Sequence, residues 1–127
     1  MRTARILNVE DYAPSRYVRT RVLREAGFEV TEAETAAAAL DVLRYEQVSL
    51  VLLDMNLPDG TGAEICRQIR KDDSLAGLPV LIISATARGE LDRLDGVRAG
   101  ANVYLTEPVP PAVLISTVDS LLTKKAS

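Results

Sequence analysis

Histidine and tryptophan are absent from this 127-residue sequence, and cysteine occurs only once, as Cys66. Without histidine the chain lacks the base of Ser-His-Asp and Cys-His catalysis, an imidazole metal ligand and any phosphohistidine of its own. A single cysteine excludes an internal disulfide and a cysteine-based zinc site, and it is typical of a reducing compartment. Because cysteine is often buried, we predict a structural thiol at Cys66 rather than a nucleophile.

Positive charge and aromatic rings are too scarce for nucleic-acid binding. The net charge is −3, and the chain has one Phe and four Tyr, so neither a basic footprint nor a base-stacking platform is present. No segment approaches the ~20 apolar residues of a membrane span, and the N-terminus lacks the apolar region of a signal peptide. We therefore expect a cytoplasmic protein without nucleic-acid or membrane partners.

Length and hydrophobic patterning predict one α/β domain over residues 1–127. Four compact apolar runs are typical of strands covered on both faces, and the alternating segment Phe28 to Glu32 is typical of an edge strand. The four runs are Ile6 to Val9, Val48 to Leu53, Val80 to Ile83, and Val103 to Leu105. Helix-length segments separate the strands. Strict (βα)₅ alternation indicates a doubly wound, five-stranded parallel sheet with helices on both faces.

Apolar positions and terminal residues define the intervening helices. In the first helix an apolar face is predicted from Val18, Val22, Leu23 and Ala26, and Gly27 is its stop signal. Thr35 is a candidate cap for the second helix. The positions that indicate the fourth helix are Leu91, Leu94 and Val97.

Acidic residues follow two of the predicted strands. Glu10 and Asp11 come after the first strand, Asp54 comes after the third, and Ser84 comes after the fourth. Doubly wound sheets bind ligands beyond the carboxyl ends of their strands, so these side chains should meet. Clustered carboxylates repel one another unless a cation compensates their charge, and oxygen ligands favour Mg²⁺. Taken singly, each acid is equally compatible with a solvated strand end, and Ser84 with a loop cap.

These residues stand in motifs that resemble the receiver domain of bacterial response regulators. The motifs are Glu10-Asp11, LLDMNLPDGTG over 52–62, ISA over 83–85 and GANVYLTEP over 100–108, and the resemblance covers essentially the whole chain. It implies a flavodoxin-like sheet with strand order 2-1-3-4-5. It also implies a phosphoacceptor of a two-component system or phosphorelay, a signalling module rather than an enzyme.

The resemblance implies a role for each residue of the acidic site. Asp54 would accept the phosphoryl group from a histidine kinase or histidine phosphotransfer domain. Asp11 and Asp54, the backbone carbonyl of Asn56 and, nearby or through water, Glu10 would hold Mg²⁺ or another divalent cation. Ser84 would be the switch hydroxyl. Tyr104 would be the switch aromatic, although its position also suits a plain amphipathic edge residue.

One position departs from the family pattern. Glu107 stands where the family has Lys, which adds a fourth acid to the site and removes a cation. The variant is similar to receivers of hybrid sensor kinases. Either phosphorylation is retained, or the domain is degenerate and serves as a phosphorylation-independent docking module. Arg88 is the candidate substitute cation. The resemblance also implies a cis bond before Pro108.

The sequence leaves open the role of the arginines on the first helix and the presence of further partners. Arg16, Arg19, Arg21 and Arg24 suit a solvated face, and they equally suit a docking surface for a kinase or phosphotransfer domain. The sequence is compatible with a homodimer and with output domains in a longer protein. A flavin-binding flavodoxin is disfavoured by acids in the loop after the first strand, and a P-loop enzyme by the missing Gly-x-x-x-x-Gly-Lys motif.

Overall fold

The computed structural model describes residues 3–85 and 89–126, with side chains up to residue 123. Strands and helices alternate along the chain, apart from a hairpin of two two-residue strands that precedes the third helix. The elements are β1 (Arg5–Val9), α1 (Ala13–Glu25), β2 (Glu29–Ala33), α2 (Ala36–Tyr45), β3 (Leu50–Asp54), β4 (Asn56–Leu57), β5 (Gly60–Thr61), α3 (Gly62–Lys71), β6 (Val80–Ser84), α4 (Gly89–Arg98), β7 (Val103–Thr106) and α5 (Pro111–Ala126).

The five main strands form one parallel sheet in the order β2-β1-β3-β6-β7. With the β4–β5 hairpin set aside, this is the predicted 2-1-3-4-5 order. The central strands β3 and β6 are buried at every residue, since α helices cover both faces, whereas the edge strand β2 exposes Glu29 and Glu32. The doubly wound α/β prediction is therefore confirmed, including the edge position of the second strand.

Local signals at the helix ends act as predicted. Thr35 accepts a hydrogen bond from the Ala38 amide at the start of α2, as predicted; Thr61, which was not predicted as a cap, caps α3 through the Glu64 amide in the same way. Gly27, with φ of 97°, follows the end of α1 in a conformation that residues with a side chain rarely adopt. Cys66 is a free, fully buried thiol on α3, which confirms its structural setting.

Two helices form as predicted but turn a different face toward the core. In α1 the buried residues are Arg19, Thr20 and Leu23, whereas Val18 is 56% exposed. The predicted apolar face is confirmed at Leu23 and at Val22, which packs against the core, but it is wrong at Val18 and Ala26, which are exposed; Arg19 is buried beside them because the acidic strand ends give it partners. In α4 the predicted marker residues Leu91, Leu94 and Val97 all face solvent. No helix in the described part of the chain is long and apolar enough to cross a membrane.

Candidate functional site

Three strand ends bring polar side chains to one edge of the sheet. Glu10 follows β1, Asp54 is the last residue of β3, and Ser84 is the last residue of β6. Backbone hydrogen bonds fix their register, since the amide of Met55 donates to the Ile83 carbonyl and the amide of Glu107 donates to the Ser84 carbonyl. All three side chains are buried, with exposures of 3%, 6% and 1%. This edge is where a doubly wound sheet binds its ligands.

Glu10, Asp11 and Asp54 form an acidic cluster. One carboxylate oxygen from each lies within 4.8 Å of the other two. Glu10 Oε2 and Asp54 Oδ1 are buried and accept no hydrogen bond from the described residues, a costly state for a carboxylate unless a ligand compensates it. Oxygen donors of this kind are what hard divalent cations prefer. The donor set of the acidic cluster therefore fits a Mg²⁺-type ion.

Burial and mutual repulsion shift the ionisation of this cluster. Burial of the carboxyl group, followed by the close approach of the Asp54 carboxyl group and the charge of Asp54, raises the pKa of Glu10 to about 8. Burial is also the main cause that raises the pKa of Asp54, while the nearby charge of Arg19 opposes that rise. Without a cation, both carboxyl groups are consequently harder to ionise than a solvated carboxyl group.

The loop after Asp54 is held close to the sheet by Gly62 and Asp59. A Cβ atom at Gly62 would come within 2.7 Å of the Asp54 carbonyl oxygen, so a side chain at this position would displace the backbone beneath the acidic cluster. The two carboxylate oxygens of Asp59 accept hydrogen bonds from the amides of Ala36 and Ala37 at 2.7 and 3.0 Å. The β4–β5 hairpin that contains Asn56 is thereby fastened to the N-terminus of α2.

Arg19 is the cation that the structure places beside Glu107. Its Nη2 atom donates a hydrogen bond to Glu107 Oε1, and its Nη1 atom lies 3.9 Å from Glu10 Oε1. Only 8% of the Arg19 side chain is exposed, against 33% for Glu107. The substitute cation predicted at Arg88 lies outside the described residues. A guanidinium from α1 thus balances part of the acidic charge.

Arg16, one turn before Arg19, also turns toward the site. Its Nη1 donates to the backbone carbonyls of Glu10 and Asp11 at 2.9 and 3.3 Å, and its Nη2 forms an ion pair with Glu34. The solvated-face interpretation of the helix is therefore wrong for Arg16 and Arg19.

The sequence carried a usable signal for this inward face. Residues 16, 19 and 23 follow the i, i+3, i+7 spacing of one helical face, which includes the buried Leu23. Arg21, by contrast, is exposed and pairs with Glu25.

The remaining predicted positions lie beside the cluster. The Glu107–Pro108 bond is cis, as predicted. Tyr104 on β7 is half-buried, and its ring lies against Gly96 of α4, where an added Cβ would approach the ring to 2.8 Å. The absence of a side chain at Gly96 thus gives the Tyr104 ring its place against α4.

A five-stranded doubly wound sheet with an acidic cluster at its carboxyl edge defines a CheY-like α/β module. Residues 6–119 match the response regulator receiver domain family, and the chain belongs to this family. The resemblance predicted from the motifs is confirmed.

Two named relatives differ in the share of their length that this chain covers. The phosphate regulon transcriptional regulatory protein PhoB of Escherichia coli is 36% identical over 119 residues, which cover 93% of this chain and 51% of PhoB. Protein PilH of Pseudomonas aeruginosa is 35% identical, over 94% of this chain and 98% of PilH. The chain therefore spans about half the length of PhoB and nearly all of PilH.

Solved structures agree with the fold. The crystal structure of a CheY-like response regulator receiver domain protein from Methanospirillum hungatei superposes with a TM-score of 0.91 at 27% identity, and the match covers 98% of both chains. A putative response regulator from Chloroflexus aurantiacus gives the same TM-score at 29% identity over 96% of this chain and 99% of the other.

Proposed function

We propose that residues 1–127 form one receiver domain that accepts a phosphoryl group on Asp54 from a phosphohistidine. The observation that carries the proposal is the convergence of Glu10, Asp11 and Asp54 within 4.8 Å at the carboxyl edge of the sheet. Membership of the receiver family supports the same function. The phosphoryl donor would be a histidine kinase or a histidine phosphotransfer domain.

A divalent cation, with Mg²⁺ the best fit, would be held by Asp11, Asp54 and the backbone carbonyl of Asn56, with Glu10 nearby. Bound there, it would neutralise acidic charge and offset the charge of the phosphoryl oxygens. Burial keeps bulk water from the carboxyl group of Asp54, and Gly62 permits the close backbone approach that holds this residue in place.

The transfer itself is a displacement at phosphorus. A carboxylate oxygen of Asp54 forms the new O–P bond, and the P–N bond of the donor phosphohistidine breaks. The imidazole nitrogen keeps the electron pair and takes a proton from solvent. The Ser84 hydroxyl, on the neighbouring strand end, would donate to a phosphoryl oxygen.

Phosphorylation would switch a protein-interaction surface rather than turn over a substrate. Ser84 would follow the phosphoryl group, and Tyr104 would move in response against α4, where Gly96 leaves room for the ring. Output domains in a longer protein, or a second copy of the domain, would then recognise the altered surface.

The experiment is intact-mass analysis after incubation with Mg²⁺ and phosphoramidate, a small donor with a P–N bond. We expect a gain of one phosphoryl group in the natural sequence and none in Asp54→Asn. If the folded natural protein gains no phosphoryl group from phosphoramidate or from a cognate phosphohistidine protein, the phosphoacceptor proposal fails.

A second candidate function is a phosphorylation-independent docking module. One observation favours it: Arg19 already contacts Glu107 and lies near Glu10, so part of the acidic charge is balanced without a metal ion. If the folded Asp54→Asn variant binds its partner as tightly as the natural protein does, that result would support this second function.

A further inference from the structure

We propose that Arg19 binds the phosphoryl group on Asp54 and that Glu107 holds the Arg19 guanidinium in place to do so. The inference rests on the proposed function, since it concerns the same site. It assigns the positive charge of the site to α1 instead of to the loop that follows β7.

Arg19 is buried among acids with part of its donor capacity unused. Its Nη2 atom is held by Glu107, but Nη1 is buried and makes no hydrogen bond within the described residues. The nearest carboxylate oxygen to Nη1, Glu10 Oε1, is 3.9 Å away, which is beyond hydrogen-bond length. A guanidinium more than nine-tenths buried therefore presents an open N–H toward the acidic cluster.

A phosphoryl group is the ligand that would use this donor. Phosphorylation of Asp54 replaces a carboxylate by a group with three acceptor oxygens and more negative charge. Arg is suited to such a group because its guanidinium stays charged and can donate to two acceptors at once, here Glu107 through Nη2 and a phosphoryl oxygen through Nη1. The charge of Arg19 already acts on Asp54 in the unphosphorylated protein.

Glu107 explains why the guanidinium stays at this position. Arg19 and Glu107 both line a cleft of about 270 Å³ between α1 and the segment before α5. Without the ion pair, the long Arg19 side chain would be free to turn out toward this cleft and water. Glu107, the acid that departs from the family pattern, is therefore the partner of Arg19, and the two residues act as one unit.

The test compares the phosphorylation rate with Mg²⁺ affinity in matched variants. We expect Arg19→Gln to slow phosphorylation of Asp54 by phosphoramidate about tenfold or more, as loss of a charge-assisted hydrogen bond to the transferred group predicts. Mg²⁺ binding to unphosphorylated Arg19→Gln, measured by calorimetry, should be unchanged or tighter, since a nearby positive charge has been removed. The control is Arg21→Gln, which changes an exposed arginine on the same helix. We expect this variant to be phosphorylated at the natural rate.

The double variant Arg19→Gln/Glu107→Gln separates phosphoryl binding from simple charge balance. If Arg19 binds the phosphoryl group, the double variant stays as slow as Arg19→Gln because the donor at position 19 is still missing. If Arg19 only neutralises Glu107, removal of both charges restores the natural rate, and that result overturns the inference. An Arg19→Gln protein as fast as the natural one overturns it as well.

A second variant serves if Arg19→Gln does not fold, and the outcomes distinguish the phosphoacceptor function from the role of Arg19. Should Arg19→Gln not fold, Arg19→Lys keeps the charge without the planar fork, and we expect its rate to lie between the natural rate and none. A natural protein that gains no phosphoryl group refutes the proposed function itself. A natural protein that is phosphorylated with no loss of rate in Arg19→Lys and in Arg19→Gln refutes only the role of Arg19.

Discussion

Glu10 shows how one buried residue couples the site to the stability of the whole domain. Its pKa is raised from 4.5 to about 8, with burial as the first cause and the neighbouring Asp54 as the second. The folded protein therefore keeps a proton on Glu10 that the unfolded chain loses near its ordinary pKa. The stabilising contribution is complete below about pH 4.5 and is lost as the pH rises toward 8.

We expect the melting temperature of the metal-free protein to fall between about pH 5 and about pH 8, and to fall less in Glu10→Gln. The glutamine cannot ionise, so the variant should be the more stable protein at the upper end of this range. Some decline should remain because the pKa of Asp54 is shifted in the same direction. Thermal unfolding in a chelating buffer measures both proteins. Parallel curves for the two would contradict the coupling of Glu10 to folding.

At the scale of elements, the site depends on contacts between segments that are distant in sequence. Asp59 in the β4–β5 turn accepts hydrogen bonds from the first two amides of α2, and these bonds lower the pKa of Asp59. Helix N-termini have unpaired amides and a partial positive charge, so a carboxylate there stabilises both segments. The hairpin that carries Asn56 is thus positioned by a helix from earlier in the chain.

We expect Asp59→Ala to lower the melting temperature by a few degrees at neutral pH, because two amides of α2 lose their acceptor. The difference from the natural protein should shrink as the pH falls through the lowered pKa of Asp59, where the carboxylate becomes protonated. Asp73→Ala, at another exposed aspartate, is the control and should melt like the natural protein. Equal losses in the two variants would show that the Asp59 contacts have no special role.

At the scale of the whole molecule, binding of the proposed metal ion would be linked to folding. The carboxylates of the acidic cluster come from the loop after β1 and from the end of β3, so they converge only in the folded sheet. A cation that binds the folded state but not the unfolded chain stabilises the fold by about 2.7 kcal/mol at 100 times its dissociation constant. This stabilisation is a readout that does not depend on phosphorylation.

We expect millimolar Mg²⁺ to raise the melting temperature by several degrees at neutral pH, and Asp11→Asn to lose most of this shift. Asp11 is exposed, so its substitution should leave the core intact. Sodium chloride at matched ionic strength separates specific binding from screening. A shift of equal size in Asp11→Asn would place the metal elsewhere.

Sequence alone determined the order of elements, the parallel sheet and the acids at its edge. These features follow from local information: apolar runs of strand length, cap residues such as Thr35, and the rule that parallel strands end at one edge. The receiver family was likewise predictable, because its motifs are contiguous in the chain.

Only the tertiary structure decided which cation meets Glu107. Arg19 and Glu107 are 88 positions apart, and their contact depends on how α1 rotates over the sheet. That rotation was misjudged at Val18, which was predicted on the apolar face but is exposed, whereas the acids at the strand ends favour a buried Arg19 beside it. Helix periodicity gives the spacing of a face, but the charges that surround a helix decide which face is buried.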